Sequence, residues 1–305
     1  MIVETDTPIA NPLISVVIVN YNSGPYLVES VRTALPQASE ILVVDNASSD
    51  ESLNLCMQHF QDEPKLKIIR NHNNRGFAAA CNIGAMRAKG DFLFFLNPDC
   101  SLDESAISEL KQVLAINDSV GMVGGLLINA DGTEQGGGRR AVPTPWRSFV
   151  RAFGLNKLAH RWPKLFFDFH LHKRPLPDQA IEVEVISGAC MMVKRTAVED
   201  VGLWDEVYFL HCEDLDWCMR FRQKNWKIMF VPAARVTHAL GICGHSRPLF
   251  VEWHKHKGMI RFYRKFFRHQ YPGFLMGLVM TGVWLRFGLV ASYHTAKRAL
   301  RAWRG

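Results

Sequence analysis

Strand-like and helical segments alternate along the first half of this sequence, which predicts an α/β domain: a Rossmann-like, mostly parallel central sheet with flanking helices. Three observations carry that prediction. Apolar runs such as Phe92-Leu93-Phe94-Phe95-Leu96 are too continuous for strands with one wet face, as expected where both faces are covered. Helix-length segments separate them. Three of the runs stop in polar turns, Asn20-Tyr21-Asn22, Asp45-Asn46 and Asn97-Pro98-Asp99.

In order, Ile14–Val19 reads as the first strand and Pro25–Leu35 as the first helix. Glu40–Val44 is a strand ending at Asp45, and Ser48-Ser49-Asp50-Glu51 supplies capping residues for a helix to about Phe60. Leu66–Ile69 is a third strand. Gly76 to Lys89 is Ala-rich and helical, stopped by Gly90. Asp91–Leu96, a helix over Asp103–Asn117 and a strand over Val120–Ile128 complete this half. Residues 130–180 then break the pattern with Gly136-Gly137-Gly138-Arg139-Arg140, several prolines and the aromatic, basic stretch Arg161–Arg174. Long connections of this kind are usually lids or binding loops. Strand character returns over Ile181–Lys194, followed by a helix over Glu213–Gln223, short strands at Lys227–Val231 and Arg235–His238, and a basic helix over Pro248–His269.

The net charge of +7 in 305 residues is unevenly spread. Residues 247–305 hold twelve Lys/Arg against Glu252 alone, a net of +11, which leaves −4 for residues 1–246. A basic tail interleaved with apolar residues suits anionic membrane lipids, not nucleic acid. Gly273 to Tyr293 is the most hydrophobic stretch, 21 residues long, and about 20 suffice to span a bilayer. Arg286 lies inside it and basic residues flank both ends, which favours a helix lying in the cytoplasmic leaflet over a spanning one. The polar segment Met1 to Pro12 does not read as a signal peptide. Seven scattered cysteines without a C-x-x-C pair suggest a reduced, cytosolic chain with no zinc site or disulfide framework.

Polar strand ends on one sheet edge make a nucleotide cleft, because ligands in open α/β sheets bind beyond the carboxyl ends of the strands. Asp45 there reads either as a hydrogen-bond acceptor for a nucleobase or ribose, or as a helix cap. Asp99 suits a divalent cation (Mg²⁺ or Mn²⁺), which is typically held by one or two carboxylates plus phosphate and water. Asn74-Arg75-Gly76-Phe77 precedes a helix, so its N–H groups either face a phosphate or simply start the helix. No Walker loop or G-x-G-x-x-G follows a strand, which argues against ATPases and dinucleotide dehydrogenases. Glu213, Asp214 and Asp216 stabilise a helix start by charge alone, yet their apolar and aromatic surroundings suggest burial and a general base. His238, at a strand end, is either structural or a metal or phosphate contact.

In this order the motifs resemble the family 2 inverting glycosyltransferases, in particular a bacterial rhamnosyltransferase-like branch. The matching parts are Val16 to Asn22, Val43 to Asp50, Asn74 to Ala78 with Asn82 and Gly84, Asn97-Pro98-Asp99, Ser187-Gly188-Ala189, Glu213 to Asp216, and His238. The resemblance implies a glycosyltransferase A fold over residues 1–246, with a nucleotide-sugar half at about 12–129 and an acceptor half at 130–246. The basic, apolar composition of residues 247–305 makes them a C-terminal membrane-association region. The resemblance implies Asp214 as catalytic base and Asp99 with His238 at the metal. Donor contacts would come from Asn20, Tyr21, Asn22, Asp45, Asn74, Gly76, Phe77, Asn82, Asn97 and Asp99. The acceptor would meet Gly188, Ala189, Glu213 and Trp217. Many relatives carry Asp-x-Asp where this chain has Asn97-Pro98-Asp99, so metal binding rests on Asp99, phosphates and water.

The expected activity is transfer of a sugar, L-rhamnose from dTDP-rhamnose or a hexose from a UDP-sugar, to a saccharide or polyprenyl-linked acceptor. Such a step serves bacterial cell-surface polysaccharide synthesis at the cytoplasmic face of the inner membrane, by a peripheral or monotopic protein. The alternative is a non-catalytic nucleotide-sugar-binding scaffold in a synthase complex. A nucleotidyltransferase would carry a basic residue in the loop after the first strand, which Asn20-Tyr21-Asn22-Ser23-Gly24 lacks.

Overall fold

The computed structural model describes residues 12–167, 169–239 and 247–304. The polar N-terminal segment, up to residue 11, and Cys243 lie outside the described residues. Eleven strands are described: β1 Ile14–Asn20, β2 Glu40–Asp45, β3 Leu66–Arg70, β4 Phe92–Leu96, β5 Cys100–Leu102, β6 Val120–Ile128, β7 Arg139–Arg140, β8 Ile181–Glu182, β9 Val185–Ile186, β10 Cys190–Lys194 and β11 Lys227–His238. The helices are α1 Tyr26–Ala34, α2 Ser52–His59, α3 Phe77–Arg87, α4 Ala106–Ile116, α5 Pro145–Ala152, α6 Arg195–Val201, α7 Glu213–Gln223, α8 Pro248–Phe267 and α9 Gly273–Arg304.

The main sheet runs β3-β2-β1-β4-β10-β6-β11-β5, with β8 added beside β11. The pairs β1–β2, β2–β3, β1–β4 and β6–β11 are parallel. β10 is antiparallel to both β4 and β6, so β6 and β11 regain the direction of β4. The carboxyl ends of β1, β2, β4, β6 and β11 therefore share one edge, where β10 begins. Along β1 and β2, alternate residues enter opposite cores: Val17, Val19, Leu42 and Val44 on one face, Val16, Ile18, Ile41 and Val43 on the other. Both faces being covered explains the unbroken apolar runs.

Several expected elements differ. The strand expected over Ile181–Lys194 is three short strands, because Ser187-Gly188-Ala189 turns the chain at the sheet edge. The two strands expected at Lys227–Val231 and Arg235–His238 are one, with an irregularity in register between Val231 and Arg235, around Pro232. Pro lacks the N–H that a regular ladder requires. The irregular 130–180 connection contains β7, which pairs with β9, and the helix α5. Three-residue β5 had no apolar run to announce it, yet it pairs antiparallel with the end of β11, His238 opposite Cys100.

α3 lies close on the sheet because Gly84 has no side chain: a Cβ there would come 2.4 Å from Val17 Cγ1. α8 is also part of the body, with Phe262, Tyr263, Phe266 and Phe267 in the core and Tyr263 Oη bonded to Ser148 Oγ at 2.7 Å. The expected boundary at 246/247 thus falls just ahead of a core-packed helix. α9 folds back along α8, with Trp253 against Trp284 and Arg286 Nη1 3.1 Å from His256 Nε2. Arg286 therefore points to a partner on α8 and not into the middle of an apolar span. The stretch Gly273–Ala299 is long and apolar enough to cross a membrane, with only 6% of its most apolar window buried.

Asn82 ties α3 to the segment before α7. Its Nδ2 donates to Trp204 O at 3.0 Å and Glu206 Oε1 at 2.9 Å, and its Oδ1 accepts from Trp204 N at 3.0 Å. Asn82→Ala would strand these buried groups and is expected to cost about 1–3 kcal/mol of stability, read from urea unfolding. An unchanged midpoint would show that Asn82 carries no structural load.

Candidate active site

The site is built at the sheet edge, from the ends of β1, β2, β4 and β11, the loops that follow β3 and β6, the turn before β10 and the start of α7. At the end of β2, the buried Asp45 carboxylate accepts from Asn20 Nδ2 at 2.8 Å and Ser48 N at 3.2 Å. Asn20 itself is fully buried, its amide also reaching Ser48 Oγ and Ser52 Oγ. Asn20 therefore holds Asp45 from behind, a correction to its expected donor contact. Asn22 accepts from Ser49 N at 2.7 Å and shapes the same loop, while Tyr21 is half-buried beside it.

Asn46, overlooked among the expected site residues, clamps the next segment. Its Nδ2 donates to Asn74 Oδ1 and Gly76 O, and its Oδ1 accepts from Arg75 N and Asn71 Nδ2. Gly76 N donates to Asn74 Oδ1, and Phe77 N donates to Phe209 O at 2.8 Å. The N–H groups of Arg75, Gly76 and Phe77, expected to face a phosphate, are thus already committed within the protein. Gly76 is required here: its φ is +86°, and a Cβ would lie 2.6 Å from Phe209 O.

Beyond β4, Asn97-Pro98-Asp99 leads into β5, and the β5–β11 pairing brings Asp99 Oδ1 to 3.2 Å from His238 Nε2. Both residues are buried. Gln135 fixes the ring: its Nε2 donates to His238 O at 3.2 Å and to Asn129 Oδ1, leaving Oε1 to accept from His238 Nδ1 at 2.7 Å. By this hydrogen-bond assignment Nε2 is the atom turned to Asp99. Asn97 Nδ2 lies 3.4 Å from the same nitrogen. Cys100 completes the cluster, but burial pushes its thiol well above the ordinary range, so it is no ready thiolate ligand.

On the other side, Gly188 and Ala189 precede β10. Ala189 O accepts from Asn97 N at 3.0 Å, and a Cβ on Gly188 would sit 3.5 Å from Asp214 Cβ. This turn links the Asp99 cluster to Asp214. The Asp214 carboxylate is ion-paired with Arg140 Nη2 and accepts from Leu215 N at 2.8 Å. Burial pulls the Arg140 pKa down, but the charge and hydrogen bond of Asp214 outweigh it and the net shift is upward. Arg140 and Gln135 sit in the Gly-rich segment after β6, and only the cluster of polar residues there could have flagged them.

The helix carrying Asp214 starts under backbone strain. His211 and Cys212 have φ of +67° and +70°, a region non-Gly residues enter at a cost of order 1–3 kcal/mol each. Glu213 is buried, and its Oε2 has no hydrogen-bond partner. Burial, then the neighbouring Asp214 charge, pushes the Glu213 carboxyl up to about 8. Trp217 was expected at the acceptor; it is wholly buried, with its rings 4.1 Å from Trp204 and 5.5 Å from Phe95, and Nε1 donating to Gly202 O. It packs the core beneath the site and does not line it.

Residues 15–202 match the sequence model described as "Glycosyl transferase family 2", and residues 138–294 match that of "Glycosyl transferase family group 2". The chain is 27% identical over 240 residues to the N-acetylglucosaminyl-diphospho-decaprenol L-rhamnosyltransferase of Mycobacterium tuberculosis, covering 74% of this chain and 76% of that one. It is 25% identical over 219 residues to the low-salt glycan biosynthesis hexosyltransferase Agl10 of Haloferax volcanii, covering 70% and 63%. Among solved structures, GalNAc-T7 with UDP, GalNAc and Mn²⁺ superposes with a TM-score of 0.60 at 20% identity, over 83% of this chain and 48% of that chain. The mannosyltransferase PcManGT of Pyrobaculum calidifontis, with GDP-Man and Mn²⁺, gives 0.57 at 16% identity, over 98% and 77%. The likeness establishes the glycosyltransferase A fold.

Glu213 makes stability depend on pH. The unfolded chain releases this proton near 4.5, whereas the native protein holds it to about 8, so stability falls as pH rises between those values. Glu213→Gln is expected to melt at the wild-type temperature at about pH 5 and clearly above it at about pH 9. Parallel melting curves at both pH values would refute the raised carboxyl.

Proposed function

The chain is a glycosyltransferase that belongs to glycosyl transferase family 2, and from that premise we propose that it transfers a sugar from a nucleoside-diphosphate donor to a lipid-linked saccharide with inversion. The observation that carries the reading is the Asp214 carboxylate, oriented by Arg140 and joined to the Asp99–His238 cluster through Gly188-Ala189. One base and one charge-holding cluster suit a single displacement; double displacement would need a second carboxylate as nucleophile.

In the proposed reaction the acceptor hydroxyl attacks the anomeric carbon. The carbon–oxygen bond to the acceptor forms as the bond to the diphosphate breaks, and Asp214 takes the hydroxyl proton. Arg140 and the Leu215 N–H hold the two carboxylate oxygens in place. Asp45, kept rigid by Asn20, faces the nucleoside. Asp99 and His238 Nε2 form a hard oxygen and nitrogen pair that fits a divalent cation, with Gln135 fixing the ring as metal-bound histidines usually require. Such a cation supplies positive charge for the departing diphosphate. The donor is dTDP-L-rhamnose, with a UDP-hexose as the alternative; the activity of the mycobacterial relative supports rhamnose and a polyprenyl diphosphate acceptor.

α9 supports membrane attachment. Phe274, Leu278, Leu285 and Leu289 are 64–75% exposed on its outer face, and spacings of four and seven residues put them on one stripe. With basic residues at both ends, this stripe suits the surface of an anionic, cytoplasmic leaflet.

Asp214→Asn is expected to lower the transfer rate by about 10²–10⁴-fold while donor affinity, measured by calorimetry with dTDP-rhamnose and UDP-glucose, stays unchanged. Full turnover in this variant would favour another base. Chelator should weaken donor binding in wild type, and Asp99→Asn should remove that sensitivity. Leu278→Glu, Leu285→Glu and Leu289→Glu together are expected to move the protein from the membrane to the soluble fraction. Continued sedimentation with membranes would locate attachment elsewhere.

A further inference from the structure

A cavity of about 750 Å³ lies apart from the carboxylate cluster, between α8, α9 and the 207–209 segment. Lys257, Arg261, Arg264 and Lys265 line it together with Phe209 and Trp284. The four cations are spaced by four, three and one residues, which gathers them on one face of α8. Two are balanced from the catalytic body: Arg261 Nη2 donates to Asp205 Oδ2 at 2.8 Å, and Lys265 Nζ donates to Asp205 Oδ2 at 2.9 Å and Asp216 Oδ1 at 2.6 Å. Among the described residues no carboxylate pairs with Lys257 or Arg264, whose Nε reaches only Met280 Sδ.

Two further groups in the lining lack partners. Arg261 Nε and Tyr208 Oη are buried without a hydrogen bond, although buried donors in native proteins nearly always have an acceptor. The cavity thus offers two unbalanced cations, Lys257 and Arg264, beside the indole of Trp284. Trp284 belongs to α9, whose outer stripe is the exposed apolar face. The cavity's other wall belongs to the site: Phe209 O caps α3, and Gly258 sits so close to His211 O that a Cβ would come within 2.8 Å. Multiple positive charges next to an apolar helix are complementary to an anion of high charge attached to a hydrocarbon chain.

We propose that this cavity binds the diphosphate of an isoprenoid-linked acceptor, with Lys257 and Arg264 on the phosphates and the hydrocarbon running along α9. The proposal rests on the lipid-linked acceptor reading above and gives that acceptor a site. Its consequence is geometric: the diphosphate is held on α8 while the sugar it carries reaches past Phe209 towards Asp214.

The test is calorimetric titration of the full chain in detergent with farnesyl diphosphate. Lys257→Ala with Arg264→Ala is expected to weaken binding by about tenfold or more, since two charge-assisted contacts are lost. The same variant should keep wild-type donor affinity, which also verifies its folding. Asp45→Ala, on the donor side, should leave farnesyl diphosphate affinity unchanged. Inorganic pyrophosphate should bind more weakly than farnesyl diphosphate. Wild-type affinity in the double variant, loss of binding in Asp45→Ala, or equal affinity for pyrophosphate would each overturn the inference. None of these results touches the transferase reading, which stands or falls on Asp214→Asn.

Discussion

Strand β10 runs against both of its neighbours, and the arrangement of the site follows from that reversal. Because β4 and β6 leave the sheet at the edge where β10 enters it, the turn Ser187-Gly188-Ala189 is inserted among the carboxyl ends of the parallel strands. Ala189 then accepts from Asn97, and Gly188 leaves room for Asp214. A parallel strand in the same position would have carried this turn to the opposite edge, away from Asp45 and Asp99. The reversal also joins the two halves of the chain through main-chain hydrogen bonds, so the Asp45 side and the Asp214 side share one rigid frame.

Around this frame, much of the polar conservation of geometry is done by amides that never reach a ligand. Asn20, Asn46 and Asn82 each make several hydrogen bonds, to Asp45, to the 71–76 segment and to Trp204 respectively. Fully satisfied buried amides cost little and fix a unique arrangement. Near Asp214 the balance is different. The strained His211-Cys212 pair, the unpartnered Glu213 oxygen and the Arg140–Asp214 ion pair concentrate unfavourable terms at one helix start. Such concentration is characteristic of sites where chemistry, not stability, sets the residue type.

The C-terminal helices divide the basic charge between two duties. On α8, Arg261 and Lys265 neutralise Asp205, held down to about 2 despite burial, by these two cations, and anchor the helix to the core. Lys257 and Arg264 remain for a partner of opposite sign. α9 carries the apolar stripe and contributes only one face to the body, through Met276, Val279, Met280 and Val283. Body, cationic cavity and apolar stripe therefore follow one another in space, from the candidate site outwards.

The sequence by itself determined the α/β class, the order of the first six long elements and the strand-end location of Asp45, Asp99 and His238. Apolar runs with both faces covered, and turn residues that end them, are local signals. It also marked the acids around Leu215 and Trp217 as a buried carboxylate group, while the choice of Asp214 among them came from the family resemblance. Only the tertiary structure decided that Asn20, Asn82 and Trp217 support the site from within, that the start of α3 is closed by Phe209, and that Arg140 and Gln135 belong to it. It likewise decided that Arg286 faces His256. In each case the residue's role depends on a partner many positions away in the chain. β5 is the sharpest instance: three residues without periodicity become a strand only because the end of β11 offers them a ladder, and that long-range pairing is what sets Asp99 against His238.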